Sequence, residues 1–366
     1  MKIVEDYMNF DSYKFITDQT VYPIFKNAID EAFSDESSIK KMNNNKKTSI
    51  ILFILSAFAF LLGVLLLFVI GFQNGKSTNF IVFLVFLILS VVLMFVGIII
   101  FWKYKKTLNT LISKIRSSID VEKIYNKSFK KVNNGINYLS TKTNVEKFLD
   151  TEQFSKSEIL DSSLDGEEII TFNYDVPNDA RIVEKSKQKY LLIDNKYPAS
   201  FINVVYLQIV RNSKGEVVSK RYFNRGVLKI DTRNLGDRAF EFTLFKGGIF
   251  SKKPIKLENK EFNKKIRLVS DDELKARQMY TPLSMELSVK RVEDINGSIV
   301  NSMYVTSTGD SIYFEYSVPM NFMELDIISS TNKDKILNSM YNDFLYDTYT
   351  LYWILSIIYI PIYLDK

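Results

Sequence analysis

Residues 49–72 read SIILFILSAFAFLLGVLLLFVIGF, and residues 80–102 read FIVFLVFLILSVVLMFVGIIIFW. Neither stretch contains a charged residue. A helix needs about 20 apolar residues to cross a hydrocarbon core of roughly 30 Å. A helix on the surface of a soluble protein would carry polar residues along one face, and neither stretch has such a face. We therefore predict two transmembrane helices, joined into a hairpin by the short polar connection 73–79.

Basic residues flank both ends of this hairpin. The connection between the two stretches carries only Lys76. The basic residues before the first stretch and after the second are Lys40, Lys41, Lys46 and Lys47, and then Lys103, Lys105, Lys106, Lys114 and Arg116. Loops on the cytoplasmic side of a membrane are enriched in Lys and Arg. We therefore expect a multi-pass protein of the cell membrane with both termini in the cytoplasm.

The segment after the second stretch holds the positive charge of the chain. Residues 103–131 include nine basic and two acidic residues, in a chain whose net charge is +6. Leu108, Leu111 and Ile115 recur at helical spacing, which predicts that the second membrane helix continues into the cytoplasm. The lysines are either a solvated face or contacts to anionic lipid headgroups, and both interpretations stay open. The candidates for headgroup contact are Lys103, Lys105, Lys106, Lys114 and Arg116.

The composition excludes several classes of chemistry. The chain has no cysteine and no histidine. Disulfides, Cys/His zinc sites, thiol proteases and Ser-His-Asp hydrolases are therefore impossible. Sites for Mg²⁺ or Ca²⁺ built from carboxylates remain open. We predict no cofactor. We also predict no nucleic-acid partner, because the basic residues lie next to the membrane and are not interleaved with aromatic residues on one surface.

The remaining segments predict an α+β fold. Residues 1–48 form an N-terminal helical segment, with two short helices divided near Pro23. Residues 35–47 are polar and are either a linker or a frayed helix end. Residues 49–102 are the transmembrane hairpin, 103–140 a basic juxtamembrane helix, and 141–366 a cytoplasmic, mostly antiparallel α+β domain closed by a C-terminal helix. Residues 348–364 are uncharged, but their tyrosines favour a core helix or interfacial packing over a third membrane span.

Short strands are predicted along the cytoplasmic domain, with helices between them. Strands 204–211 and 216–223 flank Asn212-Ser213-Lys214-Gly215, which is a hairpin signal. The other strands are 227–231, 239–245, 254–258, 266–269, 299–306 and 311–318. The helices are 271–280, which Ser270 or Asp271 caps, 282–292, and 332–358.

One stretch of this domain carries a resemblance. Residues 256–289 read KLENKEFNKKIRLVSDDELKARQMYTPLSMELSV. This stretch resembles the signature of the bacterial family known as domain of unknown function three-one-three-seven, whose members are uncharacterised two-span membrane proteins. The matching steps are Leu257-Glu258, Glu261-Phe262, Asp271-Asp272, Ala276-Arg277, Thr281-Pro282 and Met285-Glu286. The resemblance supports the predicted architecture. It implies no catalytic residue, because the family has no established activity.

The charged residues of this stretch form the candidate structural or interaction motif. They are Glu258, Glu261, Asp271, Asp272, Arg277 and Glu286. The acids either hold a divalent metal ion or cap a helix whose dipole they complement, and we favour capping. Arg277 lies four residues after Glu273, a spacing that suits an ion pair. It is also a candidate to pair with Glu258 or Glu261 and join the preceding strand to the helix.

These observations favour a non-enzymatic interaction or scaffold module at the inner face of a bacterial membrane. The alternative is an enzyme that acts on a lipid or membrane-proximal substrate with carboxylate or Lys/Tyr chemistry. A transporter is a weaker option, because the two spans carry no ionisable residue. The expected partners are membrane lipid and an unknown protein, and a homo-oligomer is possible.

Overall fold

The computed structural model describes residues 7–71, 76–132, 135–139, 141, 164, 166–171, 176–194, 197–245 and 253–360. The fold is α+β, as predicted. The chain divides into two compact units. One comprises Ile24–Ile119 and Ile327–Met340, and is helical. The other comprises Met1–Pro23, Asp120–Asp326 and Tyr341–Lys366, and contains the sheet.

Two long helices dominate the helical unit. Helix α3 is Glu36–Gly71 and helix α4 is Lys76–Ser118. At 1.5 Å per residue they are about 54 Å and 65 Å long. In their most apolar windows only 17% and 11% of residues are buried. Both helices are therefore long and apolar enough to cross a membrane, and their apolar side chains point mostly outward.

The two long helices pack closely through small residues. The hydroxyl of Ser56 donates to the backbone carbonyl of Ser90 at 2.9 Å. A Cβ atom on Gly63 would lie 2.8 Å from Cβ of Phe86. A Cβ on Gly97 would lie 3.0 Å from the ring of Phe53. Small residues let two helix backbones approach each other, so these positions set the distance between α3 and α4.

The polar start of α3 corrects one prediction. Residues 36–47 belong to the helix, so of the two alternatives for 35–47 the linker is wrong. Asp35 explains the helical start: its Oδ1 accepts the backbone N–H of Ser38 at 3.1 Å. Hydrogen bonds from Ser38 lower the pKa of Asp35 to about 2. An anionic cap stabilises the first turn of a helix, and this outweighs the poor helix propensity of the asparagines that follow.

The N-terminal helices agree with the predicted division into two. Helix α1 is Phe10–Thr20 and helix α2 is Tyr22–Ala32. The break falls at Val21, and Pro23 is the second residue of α2, where its missing N–H costs no helical hydrogen bond. Within the helical unit, Lys114 Nζ donates to the carbonyl of Glu31 at 3.1 Å. Asp30 forms an ion pair with Lys333.

Nine antiparallel strands form one sheet in the other unit, among the described residues. They are β1 Ile136–Leu139, β2 Arg181–Lys185, β3 Lys189–Ile193, β4 Tyr197–Arg211, β5 Val217–Asp231, β6 Glu241–Leu244, β7 Leu268–Val269, β8 Met303–Thr308 and β9 Ser311–Tyr316. The strand order is β1-β3-β4-β5-β9-β8-β6-β7, and β2 also pairs with β4. Strands β4 and β5 are the longest. The predicted strands 216–223 and 227–231 are continuous in β5.

The remaining helices among the described residues are mostly short. They are α5 Val121–Val132, α6 Gly166–Thr171, α7 Lys260–Lys265, α8 Glu273–Met279 and α9 Pro282–Glu293, with a 3₁₀ turn at Arg233–Arg238 and the long helix α10, Lys333–Tyr359. The predicted strand 254–258 is wrong, and 266–269 shortens to β7. Helix α7 was not predicted. It begins where the side chain of Asn259 accepts the N–H of Phe262.

Each face of the sheet has its own apolar layer. On one face, Ile202, Val204 and Val227 pack with Leu164 and Ile169. On the other, the ring of Tyr138 lies 6.5 Å from Phe201 and 4.8 Å from Tyr125. Residues 347–358 of α10 are buried on all sides of the helix, including Thr348, Leu351 and Ile354. The described part of 348–364 is therefore a core helix, as predicted, and 361–364 lie outside the described residues.

Candidate functional site

The centre of the predicted motif is Arg277 on α8. Its Nη1 lies 2.6 Å from Oε1 of Glu258, and its Nη2 lies 2.6 Å from Oε1 of Glu273. Nη2 also donates to the carbonyl of Lys256 at 3.1 Å. The hydrogen bond to Glu273 is the main cause that raises the pKa of Arg277. The planar guanidinium thus joins α8 to the segment before α7 by donating to three acceptors.

The acidic residues of the motif have separate tasks. Asp272 caps α8, because its Oδ1 accepts the N–H of Lys275 at 2.9 Å. The capping residue is therefore Asp272, and the prediction of Ser270 or Asp271 is wrong by one or two positions. Glu286 pairs with Lys290 at 2.8 Å on the exposed face of α9, and this contact lowers the pKa of Glu286. Glu261 is exposed in the first turn of α7, and Asp271 is exposed before α8.

The motif is therefore spread over three helix starts and their ion pairs. Within the described residues, no three acidic side chains converge as a metal site would require. Capping and pairing are the roles that the geometry supports for Asp272 and Arg277. These contacts fix the first turn of α8 and join α8 to the segment before α7.

The predicted headgroup residues lie along the last turns of α4. All are exposed: Lys103, Lys105, Lys106, Lys114 and Arg116. Trp102 beside them is 72% exposed, although indole is a large apolar ring. Lys105 Nζ lies 5.9 Å from the ring centre of Phe101. An exposed tryptophan followed by lysines is the arrangement that membrane interfaces favour.

A pair of carboxylates on α10 was missed by the sequence analysis. Asp347 Oδ2 accepts the backbone N–H of Met323 at 2.5 Å, and Asp343 Oδ2 accepts that of Asp326 at 3.0 Å. Burial raises the pKa of Asp343 to about 6 and that of Asp347 well above its usual range. The hydroxyl of Tyr125 is buried without a described hydrogen-bond partner. Burial, and then the charge of Asp347, raise its pKa.

A buried arginine on α9 was also missed. The side chain of Arg291 is fully buried, and its guanidinium carbon lies 4.4 Å from the ring centre of Tyr7 and 5.1 Å from that of Tyr352. Its Nη1 donates to the hydroxyl of Tyr349 at 3.1 Å. Tyrosine rings stabilise a desolvated cation through their π faces. Arg291 therefore ties the N-terminal segment to α9 and α10. Its position within KRVE gave no sign of this burial.

A third polar cluster lies beneath α6. Glu168 Oε1 accepts from Lys229 Nζ at 2.5 Å and from the hydroxyl of Tyr313 at 2.6 Å. Lys229 and Tyr313 are 8% and 6% exposed. Lysine, tyrosine and carboxylate are the groups that the enzyme alternative requires. Here they satisfy one another beneath a helix, which supports a role in holding α6 on the sheet.

The most exposed feature of the sheet is the end of the β4–β5 hairpin, residues 208–225, which we call the hairpin arm. Its turn was predicted correctly. Asn212 Oδ1 accepts the N–H groups of Lys214 and Glu216 at 3.0 and 2.9 Å, and Gly215 has φ of 82°. Only glycine adopts that backbone conformation without strain, so the turn is fixed by its residues. Val218 and Tyr222 on the arm are 64% and 62% exposed.

These features define a class of protein: an α+β domain built on an antiparallel sheet, in a chain with two apolar helices long enough to cross a membrane. Residues 207–351 match the family described as "Protein of unknown function (DUF3137)". The match runs from β4 into α10, so it includes the hairpin arm and the motif, and both apolar helices lie outside it. The resemblance inferred from residues 256–289 is confirmed. No curated protein and no solved structure matches the chain significantly.

Proposed function

We propose that this chain is a bacterial membrane-anchored protein whose cytoplasmic α+β domain acts as a non-enzymatic interaction or scaffold module. The observation that carries this proposal is the pair of helices α3 and α4. Their apolar side chains point outward, and exposed basic residues lie beside the apolar stretches. A bilayer satisfies both halves of this arrangement, because hydrocarbon covers the apolar residues and headgroups attract the lysines.

The placement of both termini in the cytoplasm rests on the distribution of Lys and Arg. Basic residues precede the apolar stretch 49–72 of α3 and follow the apolar stretch 80–102 of α4, whereas the connection 73–79 holds one lysine. The positive-inside tendency therefore favours a cytoplasmic sheet unit.

Cysteine accessibility tests this orientation, because the chain has no native cysteine to contribute background labelling. Ser38→Cys and Ser113→Cys lie on the predicted inner side, and Ser77→Cys lies in the connection. We expect a membrane-impermeant maleimide to label only Ser77→Cys in intact cells, and all three after lysis. Labelling of Ser38→Cys or Ser113→Cys in intact cells would show that the orientation is wrong.

In the motif, Asp272 and Arg277 cap and pair within the fold. The exposed hairpin arm is therefore the surface that supports an interaction role. Cross-linking and purification from native membranes tests it, with Asp272→Ala/Arg277→Ala as a variant matched for folded protein. A stoichiometric protein captured by the intact chain and by the folded variant supports a scaffold whose motif is structural. Copurification of a lipid or metabolite without a protein would contradict the interaction role and favour the enzyme alternative.

A further inference from the structure

The hairpin arm is a two-stranded ribbon that outreaches both of its neighbours. Strand β2 pairs with β4 only as far as Leu207, opposite Arg181. Strand β9 pairs with β5 only from Gly226 onward. Between Val217 and Arg225, β5 therefore pairs with β4 alone among the described strands. Arg225 at the end of this stretch contacts Ser317 and Glu315. The β5 edge that the described residues leave uncovered is therefore Val217–Phe223, about 24 Å long at about 3.4 Å per residue.

The side chains along this edge combine apolar and basic groups. Val218 and Tyr222 are 64% and 62% exposed. Lys220 lies between them on the same face, because side chains alternate along a strand. Arg221 is exposed on the opposite face, and Lys214 is exposed at the turn. Over residues 208–225 there are five basic residues and one acidic residue.

This combination selects among possible occupants. An unpaired edge presents backbone N–H and C=O groups, which favours strand addition over contact with a lipid surface. A second copy of the arm would place Lys220 and Arg221 against like charges, which is unfavourable for cross-strand pairs. An acidic strand would instead place opposite charges across the new pairing. Complementary charge thus points to an acidic polypeptide.

We propose that the free edge of β5 binds an extended acidic segment of a protein partner as an additional strand. This inference rests on the proposed interaction function and names its docking site. The register follows from the side chains of β5. Residues opposite Val218 and Tyr222 are apolar, at positions i and i+4 of the partner, and the residue opposite Lys220, at i+2, is acidic. A second acid faces Arg221, at i+1 for antiparallel addition or at i+3 for parallel addition.

The test uses the full chain in nanodiscs of neutral phosphatidylcholine and a short fluorescent peptide with valines at i and i+4 and glutamates between them. Fluorescence anisotropy measures the Kd. Loss of the cross-strand charge pairs in Lys220→Glu/Arg221→Glu is expected to weaken binding by about tenfold or more. A peptide with lysines in place of the glutamates is expected to bind that variant instead. The charge-matched control Lys260→Glu/Lys264→Glu, on α7, is expected to bind like the parent chain.

A second peptide separates strand addition from simple charge attraction. Methylation of alternate backbone nitrogens keeps the charges and removes the hydrogen bonds along one edge, so we expect at least about tenfold weaker binding when the pairing edge is methylated. The proposal would be overturned if the acidic peptide did not bind, or if the parent and methylated peptides bound equally well. It would also be overturned if phosphatidylglycerol vesicles displaced the acidic peptide and methylation had no effect on its binding. Such a result would leave the anchoring and the interaction function untouched, because the cysteine labelling reports orientation and the cross-linking captures a protein partner wherever it docks.

Discussion

Asp347 Oδ2 accepts the backbone N–H of Met323 at 2.5 Å, where the aspartate side chain is only 3% exposed. One helical turn earlier, Asp343 accepts the N–H of Asp326. Met323 has φ of 59°, a conformation that residues other than glycine seldom adopt. Two carboxylates on one face of α10 thus hold the loop that follows β9 in its unusual conformation.

Replacing the deeper of these carboxylates separates its hydrogen bond from its charge. Asp347→Ala leaves the N–H of Met323 buried without an acceptor, and we expect a loss of about 1–3 kcal/mol in unfolding free energy. Asp347→Asn keeps a carbonyl acceptor and removes a charge that burial disfavours, so its stability at pH 7.5 should equal or exceed that of the parent. Denaturant unfolding of the full chain in detergent micelles measures both. Equal losses in the two variants would show that the charge itself is required.

Asp343 predicts a pH dependence of stability. Its pKa in the folded chain is raised to about 6, mainly by burial, above the usual value of 3.8. The folded state therefore binds the proton more tightly than the unfolded state, and stability is lost as the pH rises from about 4 to about 6. After allowance for solvent screening, the loss is on the order of 1–2 kcal/mol. Asp343→Asn should flatten this part of the pH–stability curve.

The control for this titration is Asp237→Asn, at an exposed position in the 3₁₀ turn. It should keep the slope of the parent chain between pH 4 and pH 6. An Asp343→Asn curve as steep as that of the parent chain between pH 4 and pH 6 would contradict the assignment to Asp343.

Gly297 and Gly309 provide a matched pair of glycine substitutions. Both have positive φ, at 77° and 89°. A Cβ on Gly297 would lie 2.0 Å from the ring of Phe10, whereas a Cβ on Gly309 would meet nothing within 4 Å. Gly309→Ala should cost about 1 kcal/mol from backbone strain alone. Gly297→Ala should cost about 1–3 kcal/mol more, because the ring of Phe10 must move. Denaturant unfolding measures the free energy of unfolding of both variants, and Gly297→Ala should also show faster proteolysis near residue 10. Equal losses of unfolding free energy in the two variants would contradict the close contact between Gly297 and Phe10.

Much of this fold could be predicted because its signals are local. The two apolar stretches, the turn at Gly215 and the apolar face of α10 each depend on residues that are near one another in sequence. The residues predicted for that face, such as Ile336, Phe344 and Trp353, are all buried. Errors arose where a side chain acts on the backbone a few residues away. Asp35 extends α3, and Asn259 starts α7 where a strand was predicted to precede it.

The polar clusters could not be predicted, because their members are distant in sequence. Glu168 meets Tyr313 across 145 positions, and Tyr7 meets Arg291 across most of the chain. No spacing rule joins such residues, since the sheet and α10 bring them together. The motif around Arg277 was easier, because its partners Glu258 and Glu273 lie within 19 positions. Its structural role followed from helix-capping and ion-pair spacing.

The hydroxyls of Ser56 and Ser90 lie 3.1 Å apart between α3 and α4, so cysteines at these two positions should form a disulfide. We expect mild oxidation of Ser56→Cys/Ser90→Cys in membranes to protect both thiols from a maleimide-polyethylene glycol reagent that is added after denaturation in SDS. Adding Gly97→Leu should reduce this protection, because its Cβ would lie 3.0 Å from Phe53 and overpacking of this kind costs about 1–3 kcal/mol. Phe95 is 64% exposed, so Ser56→Cys/Phe95→Cys should stay reactive. Protection of the Phe95 pair, or protection of the Ser90 pair that Gly97→Leu does not change, would mean that α3 and α4 do not pack through their small residues.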